Sequence, residues 1–265
     1  MIPLMRHGTS WACTACAEKL TLRASLPGAF TYDAVVHGTK LARVAGVATR
    51  DLLAGACVAS WLVNGATPSP VFRRWLTPPF VDVWIELVEV MSGGGWNDLP
   101  PAVRDTIAVA LGALMIDEQG VGPVSKVLAV LAPVAVPLMP DAALAFGIGV
   151  ASRGEDADMQ TAGVAAFGPM MDWFSAQVGA AHDTLSAIAP ALTPAQVLDR
   201  VLWFDAAGYM YFNDWYWVKD GAREGVVRVE APFEEASRST VVDLADETTP
   251  ALFRAEAMRA LDAVV

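Results

Sequence analysis

The residues best suited to chemistry stand in one apolar stretch, GVGPVSKVLAVLAPVAVPLMPDAALAFGIG, which runs from Gly120 to Gly149. Within it only Lys126 and Asp141 are charged. A lysine can act as a point charge toward phosphate, and a carboxylate can stabilise a developing cation or take a proton from water. Three interpretations are open: a membrane span, a buried pair of helices, and a nucleic-acid site with a catalytic carboxylate.

The membrane interpretation fits this stretch poorly. Between residues 127 and 151 only Asp141 is charged, but three prolines interrupt the run. An acid near the middle of a span is costly in lipid. The uninterrupted part, residues 127–132, is also far shorter than the roughly 20 residues that a spanning helix needs. We therefore predict no membrane span.

Local helix signals place the two charges on consecutive elements. The helix that contains AVRDTIAVALGALMI should end near Gly120, and a short helix should follow from about Pro123 to Leu131. PVAVPLMP should be extended, because each proline disfavours helical geometry in the residue before it. Asp141 then caps the next helix.

This order of elements resembles the helix-hairpin-helix superfamily of DNA glycosylases. The resemblance implies that a Gly-x-Gly hairpin presents backbone N–H groups to a DNA phosphate, aided by the positive end of the following helix. It also implies a catalytic aspartate at a helix start, which is Asp141 here. The residues that would contact DNA are Gly120, Val121, Gly122, Ser125 and Lys126.

The position of the nucleophilic lysine differs from the bifunctional members of that superfamily. They carry this lysine two residues after the second glycine, where this chain has Val124. Lys126 lies two residues farther along. We therefore predict a monofunctional enzyme, which hydrolyses the glycosidic bond and leaves an abasic site.

A closer resemblance is to a family of uncharacterised bacterial helical proteins. Its members share a GVG…SK.L….P…P..D run and a later LD..LW run, which here are residues 120–141 and VLDRVLW at 197–203. The resemblance covers residues 30 to 215 and is strong in those two segments. It predicts a mostly α fold, a helical bundle like that of the helix-hairpin-helix DNA glycosylases.

The segment GYMYFNDWYWVKD, from 208 to 220, is unusually rich in aromatic residues. Aromatic rings can stack on an extruded base, and an amide or carboxylate can bind its polar edge. Packing in a core or an interface is the alternative explanation. The predicted base pocket consists of Tyr209, Tyr211, Asn213, Asp214 and Trp215.

Each residue of the predicted DNA site also has a purely structural explanation. Asp141 fits an ordinary helix N-cap, Lys126 a solvated helix position, and residues 120–122 a helix end with a turn. A hairpin that binds phosphate needs the same geometry, so the two explanations do not exclude each other. If Asp141 is only a cap, the catalytic acid should be sought among Asp172, Asp199, Asp205 and Asp214.

Charge is distributed unevenly along the chain. The net charge is −11, which disfavours non-specific DNA binding, because phosphate neutralisation drives that binding. Residues 19–74, however, hold seven lysines and arginines against two acids, Asp33 and Asp51. The acids are concentrated in the C-terminal part. A local basic face in the N-terminal part therefore remains compatible with a DNA partner.

The cysteine content indicates a reducing compartment. Cys13, Cys16 and Cys57 are too few for a disulfide framework, and no secretory signal is evident. One CxxC pair, with His7 upstream, falls short of the four close ligands of a structural zinc site. We expect a cytoplasmic monomer that binds double-stranded DNA with a modified base and uses no metal and no cofactor.

The length and the 54% hydrophobic content suit one helical domain over residues 1–265. We predict an irregular N-terminal segment over 1–30, a first helix from Thr49, and a C-terminal extension with a helix over 221–265. Further elements are predicted as helices over 79–91, 163–180 and 194–208, and as a strand over 225–232.

The predicted function is that of a monofunctional DNA glycosylase. Its substrate would be a modified or bulky pyrimidine of the kind that phages place in their genomes, which suits a role in phage defence. The alternative is a non-enzymatic helical protein that binds DNA or protein on a degenerate glycosylase fold. The charge of −11 and the missing nucleophilic lysine favour that alternative.

Overall fold

The fold is that of a computed structural model, which describes residues 2–6, 9–64, 69–92, 94–114, 121–132, 135–136, 163–231, 233 and 241–263. Over these ranges the chain is mostly helical, and its strands form two small sheets. The prediction of a mostly α fold is confirmed. No helix in these ranges is both long enough and apolar enough to cross a membrane.

The helices in the described ranges are α1 (Cys16–Ala24), α2 (Pro27–Val44), α3 (Thr49–Asn64), α4 (Ser69–Trp75), α5 (Phe80–Met91), α6 (Pro101–Leu114), α7 (Val121–Leu131), α8 (Gly163–Ala180), α9 (His182–Ile188), α10 (Pro194–Ala206) and α11 (Ala251–Asp262). The strands are β1 (Ile2–Arg6), β2 (Thr9–Cys13), β3 (Trp215–Asp220), β4 (Arg223–Arg228) and β5 (Val242–Asp243). Two short 3-10 turns lie at Trp96–Asp98 and Gly208–Tyr211.

Helix α10 shows how local signals determine a helix. Thr193 Oγ1 accepts a hydrogen bond from the backbone N–H of Gln196 at 3.2 Å, and Gln196 Oε1 accepts one from the N–H of Thr193 at 3.0 Å. This capping box satisfies two N–H groups, and Pro194 begins the helix with a suitable φ. The predicted helix is confirmed, as are those that correspond to α3, α5, α8 and α11.

The N-terminal region is more ordered than its sequence predicts, and the prediction of an irregular segment over 1–30 is wrong. Strand β1 pairs antiparallel with β2, and α1 and the start of α2 follow. Helix α1 buries Cys16, Lys19 and Arg23, whose spacing of three and four residues places them on one face. Because that inward face carries two cations, the apolar periodicity that predicts helices is missing.

Helix α2 is a second element that the sequence does not predict. It packs against α3 and α7. Leu41 and Val44 nevertheless face solvent, with 56% and 82% of their surface exposed. Apolar residues therefore lie on both sides of α2, which blurs the periodicity of an amphipathic helix.

Helix α7, which carries the predicted DNA-binding residues, lies in the main core. It packs against α2 and α3 and buries Val124, Val127, Leu128 and Leu131 completely. Of the side chains that are described in α7, only that of Lys126 is not fully buried. The helix is thus fixed by packing on nearly all sides, and Lys126 is its polar side chain nearest to solvent.

The C-terminal part of the chain adds a small sheet to the helices. Strands β3 and β4 form an antiparallel hairpin that turns at Gly221, where φ is +61°, and β5 joins β3 in parallel. Helix α11 covers the sheet. Trp217 of β3 contributes to the main core, while the adjacent Val218 contributes to a second cluster under α11. The predicted C-terminal helix is therefore joined to the helical part through β3.

Candidate functional site

The predicted phosphate-binding hairpin is described only in part. Asp141 and Gly120 lie outside the described residues. Val121 and Gly122 form the first turn of α7, so the short helix predicted from Pro123 begins two residues earlier. Pro123 is tolerated there because N–H groups in the first turn have no partner within their own helix. The phosphate-binding role of this turn stays a prediction.

The two predicted DNA contacts that follow on α7 differ in accessibility. Ser125 is fully buried, so in this structure its hydroxyl has no open path to a phosphate. The reason is that α7 lies deep in the core, which the sequence alone does not show. Lys126 is half-buried and remains the better candidate for a phosphate contact.

Asp199 of α10 lies in the VLDRVLW run, and the positive charge of Lys126 has a weak influence on its pKa. Its carboxyl is buried, with 3% of the residue exposed, and Oδ1 has no hydrogen-bond partner. Burial raises its pKa to about 8, while the positive charges of Arg23, Arg200 and Lys126 oppose this rise. Asp199 is therefore mostly protonated at neutral pH.

A second carboxylate, Asp33 of α2, ties three helices together around Asp199. Arg200 of α10 donates to Asp33 Oδ1 at 2.7 Å, and Arg23 of α1 donates to Asp33 Oδ2 at 3.3 Å. We call Arg23, Asp33, Lys126, Asp199 and Arg200 the charged layer. It holds three cations, the carboxyl of Asp33 that two of them bind, and the mostly neutral carboxyl of Asp199.

A separate ion pair lies deeper, between α1 and the end of α10. Lys19 Nζ and Asp205 Oδ1 are 2.6 Å apart, and their side chains are 0% and 2% exposed. Cys13 Sγ donates to Asp205 Oδ2 at 3.3 Å. Burial opposes the charged form of Lys19, but the nearby Asp205 outweighs it and the pKa of Lys19 is raised. Both partners are therefore charged, and the pair fixes α1 to α10.

The predicted base pocket does not form one open surface. Tyr209 and Trp215 are buried, with 1% and 3% of their surface exposed. Asp214 accepts a hydrogen bond from Arg228 Nε at 2.6 Å. Tyr211 and Asn213 are exposed, and Tyr211 stacks on a ring of α10 outside the core. Tyr209 and Trp215 point inward because Gly208–Tyr211 and β3 cover the end of α10.

The four alternative acids occupy different environments. Asp172 Oδ1 accepts hydrogen bonds from Trp96 Nε1 and Arg104 Nη1, both at 2.8 Å. Asp205 and Asp214 are held by the ion pairs described above. Asp199 differs from the other three acids because its Oδ1 is buried without a hydrogen-bond partner or an ion-pair partner. The sequence does contain a signal for it, since Asp199 stands among the apolar core positions of VLDRVLW.

Asp199 should make the protein less stable as the pH rises. The unfolded carboxyl has a pKa of about 3.9, whereas the folded one has a pKa of about 8. Between these values the folded protein keeps a proton that the unfolded chain has released. The free energy of unfolding therefore falls by about 1.4 kcal/mol per pH unit and levels off above the folded pKa.

Asp199→Asn should remove this slope, because the amide keeps the size and stays neutral. Urea unfolding of both proteins from about pH 5 to about pH 9 measures it. The variant should become the more stable protein toward the alkaline end. Asp105→Asn, at an exposed position of α6, is the matched control. Parallel pH profiles for native protein and Asp199→Asn would show that Asp199 ionises normally.

Lys126 of α7 therefore has a weak electrostatic influence on Asp199 of the VLDRVLW run. In the described ranges no group of three or more His, Cys, Asp or Glu side chains is placed to hold a metal ion. The chain matches no family model and no curated protein, and no solved structure matches it.

Proposed function

We propose that the protein is a monofunctional DNA glycosylase that removes a modified base from double-stranded DNA. The observation that carries the proposal is the order of residues at the start of α7. Val121 and Gly122 occupy its first turn and Lys126 follows one turn later, as the resemblance to the helix-hairpin-helix glycosylases predicts. The mostly helical fold agrees with the proposal.

The proposed reaction is hydrolysis of the bond between sugar C1′ and the base nitrogen. As this bond breaks, positive charge builds on the sugar, and Asp141 stabilises that charge and accepts a proton from the attacking water. The water oxygen becomes bonded to C1′, and the base leaves with the bonding electrons and takes up a proton. The products are a free base and an abasic site.

The proposed contact with a DNA phosphate is made by the start of α7. N–H groups in the first turn of a helix have no partner within that helix and carry a partial positive charge, so they suit a phosphate. Val121 and Gly122 occupy this turn. Lys126 adds a full positive charge one turn later.

Incubation of the purified protein with duplexes that each carry one modified base tests the function. Alkali then cleaves the strand at any abasic site. The expected result is cleavage at one modified pyrimidine, such as a hydroxymethylated or glycosylated cytosine, after alkali and not before it. If no duplex in the panel is cleaved, or if the strand breaks without alkali, a monofunctional glycosylase for such bases is ruled out.

A non-enzymatic helical binding protein is the second candidate function. The net charge of −11 and Val124 in place of a nucleophilic lysine favour it. It predicts binding to DNA or to a protein partner without base release. The same panel of duplexes separates the two functions, provided that binding is measured on each duplex alongside excision.

Lys126→Gln should weaken DNA binding and make it less dependent on salt. Each lost phosphate contact removes about one unit from the slope of log K against log salt concentration. Glutamine removes the positive charge without adding a negative charge that would itself repel DNA. Lys219→Gln, at an exposed lysine of β3, is the matched control. A Lys126→Gln protein with native affinity and native salt slope would show that Lys126 does not touch DNA.

A further inference from the structure

A cleft of about 410 Å³ opens between α2, the C-terminal end of α7 and the segment 191–200 at the start of α10. Its volume falls in the range of about 300–1,000 Å³ that is typical of small-molecule sites. Of the predicted DNA-binding and base-pocket residues that the structure describes, none lines it. It is therefore a candidate binding site that the proposed glycosylase function does not use.

The lining of the cleft is basic, although the chain as a whole is acidic. His37, Lys40, Arg43 and Arg200 line it, and Asp33 is the one acid among the lining residues that the structure describes. Asp33 is already neutralised, because it binds Arg200 at 2.7 Å and also binds Arg23. The cleft thus carries excess positive charge, which attracts an anion.

Arg43, which lines this cleft, has one donor without a hydrogen-bond partner. Its Nη1 donates to Ser92 Oγ at a long 3.4 Å, while its Nη2 is buried and has no hydrogen-bond partner. Burial lowers the pKa of Arg43, which reflects the cost of holding the charge there. A buried donor without a partner is unfavourable, so an anionic oxygen that accepts from Nη2 would be stabilised. Phosphate oxygens suit a guanidinium well.

The rest of the lining is suited to a compact ring system. Val36, Val130, Leu131 and Leu192 give it an apolar wall. Hydroxyl and amide groups stand beside this wall, from Thr39, Thr193 and Gln196. An alkyl chain would not use the remaining hydrogen-bonding capacity of these polar groups, whereas a nucleobase has an apolar face and polar edges. Bare phosphate would leave the apolar wall unused.

We propose that this cleft binds a nucleoside phosphate, with Arg43 and Lys40 on its phosphate and the apolar wall against its base. Lys126 and Val130 are four residues apart on α7, so the cleft lies on the same face as the proposed DNA contact. The ligand is either a free nucleotide or a nucleotide unit within a DNA strand. The proposal stands independently of base excision, because it rests on the cleft alone.

Calorimetric titration of the full chain tests the site with four probes: a nucleoside monophosphate, the matching nucleoside, inorganic phosphate and a short single-stranded oligonucleotide. The monophosphate should bind at least about tenfold more tightly than the nucleoside or phosphate, since both parts of the lining contribute. If the oligonucleotide is the tighter ligand, the nucleotide comes from DNA; if the monophosphate is, the ligand is a free nucleotide. Equal affinity for phosphate and monophosphate, or no binding by either nucleotide probe, would overturn the proposal.

Substitutions locate the binding. Arg43→Gln should lower the affinity for whichever nucleotide probe the native protein binds. We expect a loss of about tenfold or more, because a charge-assisted hydrogen bond is lost. Arg50→Gln, at an arginine of α3 whose side chain is 63% exposed and does not line the cleft, should leave the affinity unchanged. If Arg43→Gln does not fold, the same measurement is made on Lys40→Gln, which lies at an exposed position. Equal affinity in the native, Arg43→Gln and Lys40→Gln proteins would place the ligand elsewhere.

Discussion

An Asp141→Asn protein should fold and bind DNA but leave no abasic sites on a substrate that the native protein cleaves. Asparagine caps a helix about as well as aspartate, so the helix predicted to start there should survive. DNA binding should persist or tighten, because a negative charge near phosphate is removed. What asparagine lacks is the charge that stabilises the sugar cation and the ability to accept a proton from water. Losing such a group typically lowers the rate on the order of a hundredfold or more.

The measurement is the single-turnover rate of abasic-site formation, with circular dichroism and DNA affinity as checks on folding and binding. Asp105→Asn, at an exposed position of α6, is the matched control and should retain the native rate. If Asp141→Asn excises the base at the native rate, Asp141 acts only as a helix cap. Asp199 would then be the next acid to test, because its Oδ1 is buried without a partner.

Lys19→Met should destabilise the folded protein by about 3–5 kcal/mol, the usual cost of removing one partner from a buried ion pair. Methionine preserves most of the length of the side chain but leaves the carboxylate of Asp205 buried without its cation. The two charged atoms are 2.6 Å apart in the native protein and almost completely shielded from water. Urea unfolding gives the change in the free energy of unfolding.

Two further variants make the Lys19 prediction specific. Lys219→Met, at an exposed lysine of β3, should change stability by no more than about 0.5 kcal/mol. The double variant Lys19→Met with Asp205→Leu should recover much of the loss, because replacing both partners by apolar groups is often neutral. If the double variant is as unstable as Lys19→Met, the loss reflects disturbed packing of α1 and not an unpaired charge.

The helices with ordinary amphipathic patterns and caps were predictable from the sequence. The Thr193-to-Gln196 capping box and Pro194 determine the start of α10, and the apolar spacing of PFVDVWIELVEVM predicts α5. The strand predicted over 225–232 overlaps β4. These features depend on neighbours within a few residues, so the local sequence contains the information that determines them.

The position of the aromatic residues was less predictable. The segment from 208 to 220 is equally consistent with a pocket wall and with a core, since rings serve both. The structure buries Tyr209 and Trp215 and leaves Tyr211 64% exposed. Which ring faces inward depends on the end of α10 that this segment covers, and that contact is not encoded in the spacing of the aromatic residues.

The sequence by itself determined the mostly α fold, the bounds of the well-capped helices and the candidate residues Lys126 and Asp141. Only the tertiary structure decided that α1 is a helix, because its inward face carries Lys19 and Arg23, whose partners are Asp205 and Asp33. The same holds for the electrostatic influence of Lys126 on Asp199. A charge at a buried position is tolerated only when its partner arrives from a distant segment, and local sequence patterns do not contain that pairing.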